Sequence, residues 1–349
     1  MGMPKRTPLS GLLLIASIAV ACVAEIRPDP TVSDVPSLSL VWPQPPARAR
    51  IRFVEAVARP RDLGIRPSVW GRMLQAVRGT DEVWFVRPGG VAARGETIYV
   101  ADPGAQALWI LDREAGRFQR IHAAGEQALV SPVAVAVGPD DRVYVADSYL
   151  AKVFVYNGRG ELQGAIGEQT LQRPAGLAYD AAAEHLYVAD SGAHRVWIFN
   201  SDGTPAGVIG EHGDEHRQFN FPTHLALDRQ GMLHVTNAMG FQIQRFTSDG
   251  RLLNAFGRHG DGSGDFSAPK GVGIDSEGHV YVVDALFDTV QIFNPDGQFL
   301  LDFGERGVDL GEFWLPGGLY IDERDRIYVA DAYNQRIQIF EYLAQGDDE

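Results

Sequence analysis

The sequence has little cysteine, little lysine and no long hydrophobic run. Cys22 is the single cysteine of 349 residues, so no intrachain disulfide can form and stability must come from the core. Lysine occurs only at Lys5, Lys152 and Lys270, and the formal net charge is −14. Nucleic-acid binding depends on clustered basic side chains, so no nucleic-acid partner is expected. The longest apolar run, residues 12–20, is too short to anchor a chain across a bilayer.

The first 21 residues have the pattern of a signal peptide. Two basic residues precede the apolar run, which ends at Cys22 in the stretch Ala-Val-Ala-Cys. This stretch resembles a bacterial lipobox, in which the cysteine receives a diacylglycerol and becomes the new N-terminus; Ala19 stands where leucine is usual. The alternative is ordinary cleavage at an Ala-x-Ala site. We predict a signal peptide over 1–21, lipid attachment at Cys22, and an exported lipoprotein on the periplasmic or cell-surface side of a membrane.

The segment after Cys22 differs in composition from the remainder of the chain. Six prolines lie within residues 22–49, and such a segment favours extended, semi-rigid conformations. We therefore predict a lipid-attached tether over 22–49 and a folded domain over 50–349. Residues 91–349 carry a formal charge of −19, so the negative field belongs to the domain.

Six copies of one unit fill most of that domain. Each copy contains a Pro-x-Gly-Val-x-Ile-Asp segment, a Val-Tyr-Val-Ala-Asp segment, an Arg-Ile-x-Ile-Phe segment and an Asp-Gly turn. Alternating Val, Ile, Tyr and Phe between turn residues indicates four short β-strands per copy. In the fifth copy we predict strands over 271–275, 279–284, 290–294 and 298–304. The copies begin at Pro88, Pro132, Pro174, Pro222, Pro269 and Pro316.

Four strands in a repeat of this length are typical of a β-propeller blade. The last copy ends after Tyr342 without a fourth strand, and we predict that residues 50–58 supply it and close the ring. The predicted fold is therefore an all-β, six-bladed β-propeller of four-stranded blades closed by an N-terminal strand. A helical insertion is predicted over 68–79, because a serine can cap its start and a glycine ends it.

The repeat consensus resembles the NHL repeat family. The best local matches are residues 188–195 and 329–336, and the resemblance covers residues 87–342. It implies a six-bladed propeller of a kind that mostly binds proteins, peptides, glycans or RNA. Related propellers include lactonases and an amidating lyase, which place metal ligands on the central axis. The lyase-type site needs a histidine near the start of several inner strands, and this chain offers one, His224.

An acidic or amide residue ends the second strand of every copy. These residues look like a ring of metal ligands, but an aspartate at this place typically accepts hydrogen bonds from loop backbone. We predict that structural role, with Asp190 and Asp331 also pairing with Arg195 and Arg336. We assign no catalytic residue, cofactor or metal. The repeated residues are Asp102, Asp147, Asp190, Asn237, Asp284 and Asp331.

Departures from the consensus predict a binding face. At the glycine of Pro-x-Gly the fourth copy has His224, and one place earlier the fourth and fifth copies have Thr223 and Lys270. Our hypothesis is that His224 and Lys270 contact an anionic or polar group while an apolar rim buries the rest of a ligand. The alternative is that these side chains pack between blades. The other predicted ligand-binding residues are Asn237, Tyr149, Met239, Phe241, Leu286, Phe287 and Tyr333.

The sequence therefore predicts an envelope-anchored binding or scaffold propeller. Its partner would be a protein, peptide or glycan, and an N-terminal lipid would hold it on the membrane. The alternative is a metal-dependent lactonase- or lyase-like propeller enzyme with a site on the central axis. In a propeller the catalytic groups come from different blades, so linear spacing does not separate these two functions.

Overall fold

The computed structural model describes residues 40–65 and 85–344. The predicted signal peptide, Cys22 and the predicted helix at 68–79 lie outside the described residues. The described part is all-β, with three short 3₁₀ turns at Pro60–Leu63, Pro139–Asp141 and Ala238–Gly240. Its helices include none that is both long and apolar enough to cross a bilayer.

Six antiparallel sheets follow one another along the chain, each running from an inner strand to an outer strand. The first two strands, β1 (Val41–Trp42) and β2 (Ile51–Val57), belong to the last sheet. Blade 1 contains β3 (Gly90–Arg94), β4 (Thr97–Asp102), β5 (Ala107–Asp112) and β6 (Arg117–Ile121), and a small hairpin, β7 (Ala123–Ala124) and β8 (Gln127–Ala128), follows it. Blade 2 contains β9 (Pro132–Val137), β10 (Val143–Asp147), β11 (Lys152–Tyr156) and β12 (Leu162–Ile166).

The remaining blades repeat this plan. Blade 3 contains β13 (Pro174–Asp180), β14 (His185–Asp190), β15 (Arg195–Asn200) and β16 (Pro205–Ile209), followed by the paired strands β17 (Glu211–His212) and β18 (Gln218–Phe219). Blade 4 contains β19 (Pro222–Leu227), β20 (Leu233–Asn237), β21 (Gln242–Phe246) and β22 (Leu252–Phe256). Blade 5 contains β23 (Pro269–Ile274), β24 (Val280–Asp284), β25 (Thr289–Phe293) and β26 (Phe299–Phe303), close to the predicted bounds. Blade 6 contains β27 (Leu319–Ile321), β28 (Arg326–Asp331) and β29 (Arg336–Tyr342).

The N-terminal segment closes the ring, as predicted. Strand β2 pairs antiparallel with β29, with Ile51 opposite Tyr342 and Val57 opposite Ile337. The structure adds β1, which pairs with β2 as a fifth strand inside the segment that the sequence assigned to the tether. The Trp42 ring lies 5.8 Å from that of Phe340, so the propeller begins before residue 50.

The core lies between the blades rather than at the centre. In the described residues each of the six blade interfaces contains one hydrophobic cluster, because alternate side chains of every strand face the neighbouring blade. Links between blades are fixed by buried phenylalanines. The ring centroids of Phe266 and Phe293 lie 5.5 Å apart. Gly257, with φ of 95°, lies against the Phe266 ring, and a Cβ at this position would collide with that ring. This arrangement places all six inner strands around a channel.

Candidate binding face

The repeated aspartates hold the links between blades. Each lies at the end of the second strand of a blade and is fully buried. Asp190 accepts backbone hydrogen bonds from Gln172 and Arg173, both at 2.8 Å, and Asn237 keeps one such bond from Asn220 at 2.7 Å. The structural role predicted for these residues is confirmed. Their bonds bring the links and the loops after the second strands to one face of the propeller.

Only one of the two predicted arginine pairs is formed. The Nε of Arg336 donates to Asp331 at 2.8 Å, whereas the Nε of Arg195 donates to the carbonyl of Ala193 at 3.2 Å. In blade 3 the third bond to Asp190 comes from the backbone N–H of Ala193, so the arginine is not needed there. Burial raises the pKa of Asp331, and the Trp314 N–H and the Arg336 guanidinium oppose that rise.

We use the word mouth for the opening of the channel where the inner strands begin. Adjacent inner strands approach closely here: Gly318 N–H donates to the carbonyl of Gly89 at 2.7 Å, and Gly271 N–H to that of Gly317 at 3.1 Å. A Cβ on Gly271 or on Gly318 would collide with the backbone of the next inner strand. His224 stands at the same position in blade 4, and its side chain is half-buried. The mouth residues are Gly89, Gly90, Val133, Ala134, Ala175, Gly176, Thr223, His224, Lys270, Gly271, Gly317 and Gly318.

Two threonines hold the polar groups of the mouth. The hydroxyl of Thr223 lies 3.1 Å from Nδ1 of His224, and the hydroxyl of Thr236 donates to the carbonyl of Lys270 at 2.8 Å. Burial and the Lys270 charge lower the pKa of His224 to about 3, so the ring is neutral at neutral pH. In the tautomer in which Thr223 donates to Nδ1, the ring proton lies on Nε2 and can be donated to a ligand; in the other tautomer Nδ1–H donates to the Thr223 hydroxyl.

The Lys270 side chain is half-buried and has no countercharge among the residues that the structure describes. Among the described residues it makes neither an ion pair nor a side-chain hydrogen bond, whereas Lys152 pairs with Glu168 at 2.5 Å. Burial lowers the pKa of Lys270, and the nearby Arg87 charge lowers it further. A cation without a partner in an acidic protein indicates that an anion from outside can supply the missing charge.

Two more cations lie near the mouth, and the sequence analysis missed them. Arg87 and Arg173 precede the repeat prolines of blades 1 and 3, are exposed, and have no side-chain partner among the described residues. Arg87, Arg173 and Lys270 therefore lie at the starts of blades 1, 3 and 5. Comparing the six residues before the repeat prolines would have found them, since the other four are Ser131, Phe221, Ala268 and Leu315.

An apolar rim surrounds the mouth on the same face. The predicted rim residues Tyr149, Leu286, Met239 and Tyr333 are 75%, 61%, 55% and 50% exposed. The structure adds Trp314, whose ring lies 5.8 Å from that of Tyr333. Phe221 is also exposed and extends the rim beside Pro222. Exposed aromatic and apolar side chains concentrated on one face are typical of an interaction surface.

Three predicted contacts fit this face less well. Phe241 is half-buried and its ring lies 4.5 Å from that of His259, and Phe287 is also half-buried. Asn237 is 2% exposed and its Oδ1 already accepts the Asn220 N–H, and its assignment as a ligand contact stays a prediction. Asparagine replaces the aspartate of the other copies at this buried structural position.

Below the mouth, the inner strands enclose a channel of about 220 Å³. Every blade contributes an apolar residue to its wall, and its described lining contains no histidine or carboxylate. The contributing residues include Val91, Val135, Leu177, Leu225, Val272 and Leu319. The described lining also includes Tyr179 and Tyr320, so polar groups extend into the channel, whereas Lys270 and His224 lie at the mouth.

The four histidines that crowd together in the sequence separate in the structure. His224 lies at the mouth, while His234 is buried 3.4 Å from Asp228, which also accepts from Arg245 at 2.7 Å. The ring of His212 contacts that of His194, with centroids 4.1 Å apart and planes tilted by 53°. In residues 40–65 and 85–344, no three His, Cys, Asp or Glu side chains are placed to share a metal ion.

The model of the NHL repeat matches residues 171–199 and 313–340. These two matches fall on blades of a ring that repeats the same unit six times. The chain is a six-bladed β-propeller that contains NHL repeats. No curated protein matches this NHL-repeat propeller.

Several solved structures share the fold. A protein of unknown function from Bacteroides thetaiotaomicron is 18% identical with a TM-score of 0.58, over 74% of this chain and 70% of that one. An auxiliary nutrient binding protein from the same bacterium is 15% identical with a TM-score of 0.58, over 75% and 70%. Virginiamycin B lyase from Staphylococcus aureus is 12% identical with a TM-score of 0.53, over 74% and 96%. Identities this low show the fold alone.

Proposed function

We propose that this NHL-repeat propeller is a non-enzymatic binding protein of the cell envelope. It recognises a protein, peptide or glycan partner through the face that contains the mouth and the apolar rim. The observation that carries the proposal is Lys270, a half-buried cation without a described partner, set inside a ring of exposed aromatic and apolar side chains. A few polar groups enclosed by apolar surface are what ligand sites usually contain.

The fold is compatible with this role, because a nutrient-binding protein shares it. A lyase shares it as well, so the fold alone does not choose between binding and catalysis. The enzyme alternative would use His224 as a metal ligand on the axis. The Lys270 ammonium beside it would repel a metal cation, and its charge already lowers the pKa of His224. The positive charge of Lys270 therefore favours an anion over a metal at the mouth.

Capture of a partner from envelope extract tests the proposal. The soluble domain is immobilised beside a variant in which His224→Ala and Lys270→Ala are combined with Tyr149→Ser and Leu286→Ser. Val208→Ser with Leu300→Ser is the matched control, because both residues are exposed but lie on outer strands. We expect the control to retain the captured partner and the mouth variant to lose it. Equal capture by all three proteins, or tight stoichiometric metal that survives dialysis, would favour another site or the enzyme.

We further propose that a lipid on Cys22 holds the protein at the membrane. The support is in the sequence: the only cysteine ends an apolar run preceded by basic residues. The variant Cys22→Ala should release the protein into the soluble fraction or block its maturation. A variant that remains in the membrane fraction at its normal size would contradict lipid anchoring and leave the binding proposal untouched.

A further inference from the structure

We propose that the mouth binds the free C-terminal carboxylate of a polypeptide whose last residues are apolar. The carboxylate lies against the Lys270 ammonium and the Nε2–H of His224, and the preceding side chains lie on the rim. This inference rests on the proposed function and names the chemistry of the partner at that same face.

The anionic character of the ligand follows from the charges at the mouth. Lys270 is half-buried without an ion-pair partner in the described residues, and Arg87 is the charge that acts on it. The carboxylates nearest in the repeat, Asp102 and Asp284, already accept backbone hydrogen bonds and are fully buried. The protein therefore places donors here and keeps its own acceptors occupied. A carboxylate would receive one bond from the ammonium and one from the imidazole.

The ligand carries one localised negative charge and is not a polyanion. Residues 91–349 have a formal charge of −19, which repels a polyanion such as RNA or an anionic membrane over its whole length. A single carboxylate is attracted by the local cations and is repelled little by the distant acidic side chains, because exposed charges beyond about 10 Å are screened at moderate salt. The mouth thus favours a ligand with one charge and an apolar body.

The recessed position of the cation favours a chain end. Gly89 and Gly317 occupy the place of Lys270 in blades 1 and 6, so the mouth is open on that side but narrow between the inner strands. A flat surface cannot reach a half-buried ammonium. The C-terminus of a polypeptide carries its charge at a tip, and no further chain has to pass through the opening. Tyr333, Trp314 and Leu286 then lie where the preceding side chains leave the mouth.

Peptide pools test this inference. The immobilised soluble domain is incubated with a randomised octapeptide pool that ends in a free carboxylate and with the same pool amidated at its C-terminus. Retained peptides are sequenced, and one of them is titrated against the protein and its variants. Lys270→Gln removes the charge, Lys270→Arg keeps it, and Lys152→Gln is the matched control because Lys152 is the other described lysine and is paired with Glu168.

We expect retention of the free-carboxylate pool, enriched in apolar final residues. Amidation or Lys270→Gln should weaken binding about ten-fold or more, because each removes a charge-assisted hydrogen bond. Lys270→Arg should restore most of the affinity, and Lys152→Gln should change nothing. Equal retention of both pools through the rim would overturn the carboxylate inference while leaving the binding function intact. Retention of neither pool, or preferential binding of single-stranded RNA or phosphatidylglycerol vesicles, would also overturn it.

Discussion

The hydroxyl of Thr236 donates a 2.8 Å hydrogen bond to the carbonyl of Lys270 and so ties the second strand of blade 4 to the inner strand of blade 5. No other blade has a hydroxyl at this position; the equivalent residues are Ala101, Ala146, Ala189, Val283 and Ala330. The bond therefore fixes the backbone of Lys270 at the mouth.

The variant Thr236→Val should lower both stability and partner binding. A buried hydrogen bond is lost, at a cost of about 0.5–1.5 kcal/mol in the free energy of unfolding, and Lys270 loses its fixed position. Thr289→Val is the matched control, because its hydroxyl donates a bond of the same length to Phe303 away from the mouth. Urea unfolding should give similar losses for both variants, while capture of the partner should weaken only for Thr236→Val. Equal effects on capture would contradict a positioning role.

The stability of the protein should fall in mild acid because of His224. Its folded pKa of about 3 lies below the unfolded value, so the unfolded chain binds a proton first as the pH drops below about 6.5. The stabilising contribution is present above the unfolded pKa and is lost toward the folded pKa, by about 2 kcal/mol at pH 5. Urea unfolding between pH 7 and 5 should show this loss, and His224→Gln should reduce it.

His279 provides the control of opposite sign. Asp275 raises the pKa of His279, so its contribution is present below the unfolded pKa and is lost as the pH rises through the folded value. His279→Gln should therefore make the acid loss steeper, not smaller. If the free energy of unfolding changes equally with pH in the wild type and in both variants, neither histidine has the environment described here.

Stepwise truncation should separate the two N-terminal strands. A domain that starts at residue 50 lacks β1 and the Trp42 contacts, and should lose about 1–3 kcal/mol of stability through reduced apolar burial. A domain that starts at residue 59 also lacks β2, with the fully buried Ile51 and Val57, and leaves the edge of β29 unpaired. We expect the second product to aggregate. Equal melting temperatures for domains starting at residues 40, 50 and 59 would contradict closure by these strands.

One backbone position has a left-handed conformation in every blade. It follows the loop after the second strand, and its φ lies between 50° and 56°. A residue with a Cβ is strained there by about 1 kcal/mol, so Ala151→Gly should leave stability unchanged or raise it by several tenths of a kcal/mol. Ala146→Gly, within a strand, should lower the stability. A higher melting temperature for Ala146→Gly than for Ala151→Gly would be inconsistent with this geometry. The six residues are Gln106, Ala151, His194, Phe241, Asp288 and Gln335.

The repeat made the fold predictable because each strand and each link aspartate occurs several times. Agreement among copies identified the strands of blade 5 and the structural role of Asp190. β1 has no such support: Val41 and Trp42 lie in a proline-rich segment whose composition favours an extended tether. Their strand is induced by packing on Phe340, a contact distant in sequence.

The candidate site was only partly predictable for the same reason. His224 and Lys270 break a repeated pattern of small residues, so their departure was visible. Arg87 and Trp314 lie just before repeat prolines, whereas the predicted contacts came from positions after the prolines and from the loops after the second strands. Asn237 also departs from the consensus, but its change is accommodated inside the protein by a hydrogen bond to Asn220. Departure from a repeat indicates a ligand contact only where the side chain is also accessible.

The central claim is that the partner covers the mouth, and the two described lysines allow it to be tested directly. The soluble domain is treated with an amine-reactive reagent before and after it captures its partner, and labelling of Lys270 and Lys152 is measured by mass spectrometry. Both are partly accessible in the free protein, but only Lys270 lies at the mouth, whereas Lys152 pairs with Glu168. We expect the partner to protect Lys270 strongly and to leave Lys152 unchanged. Labelling of Lys270 that is the same in the free protein and in the complex would contradict the account.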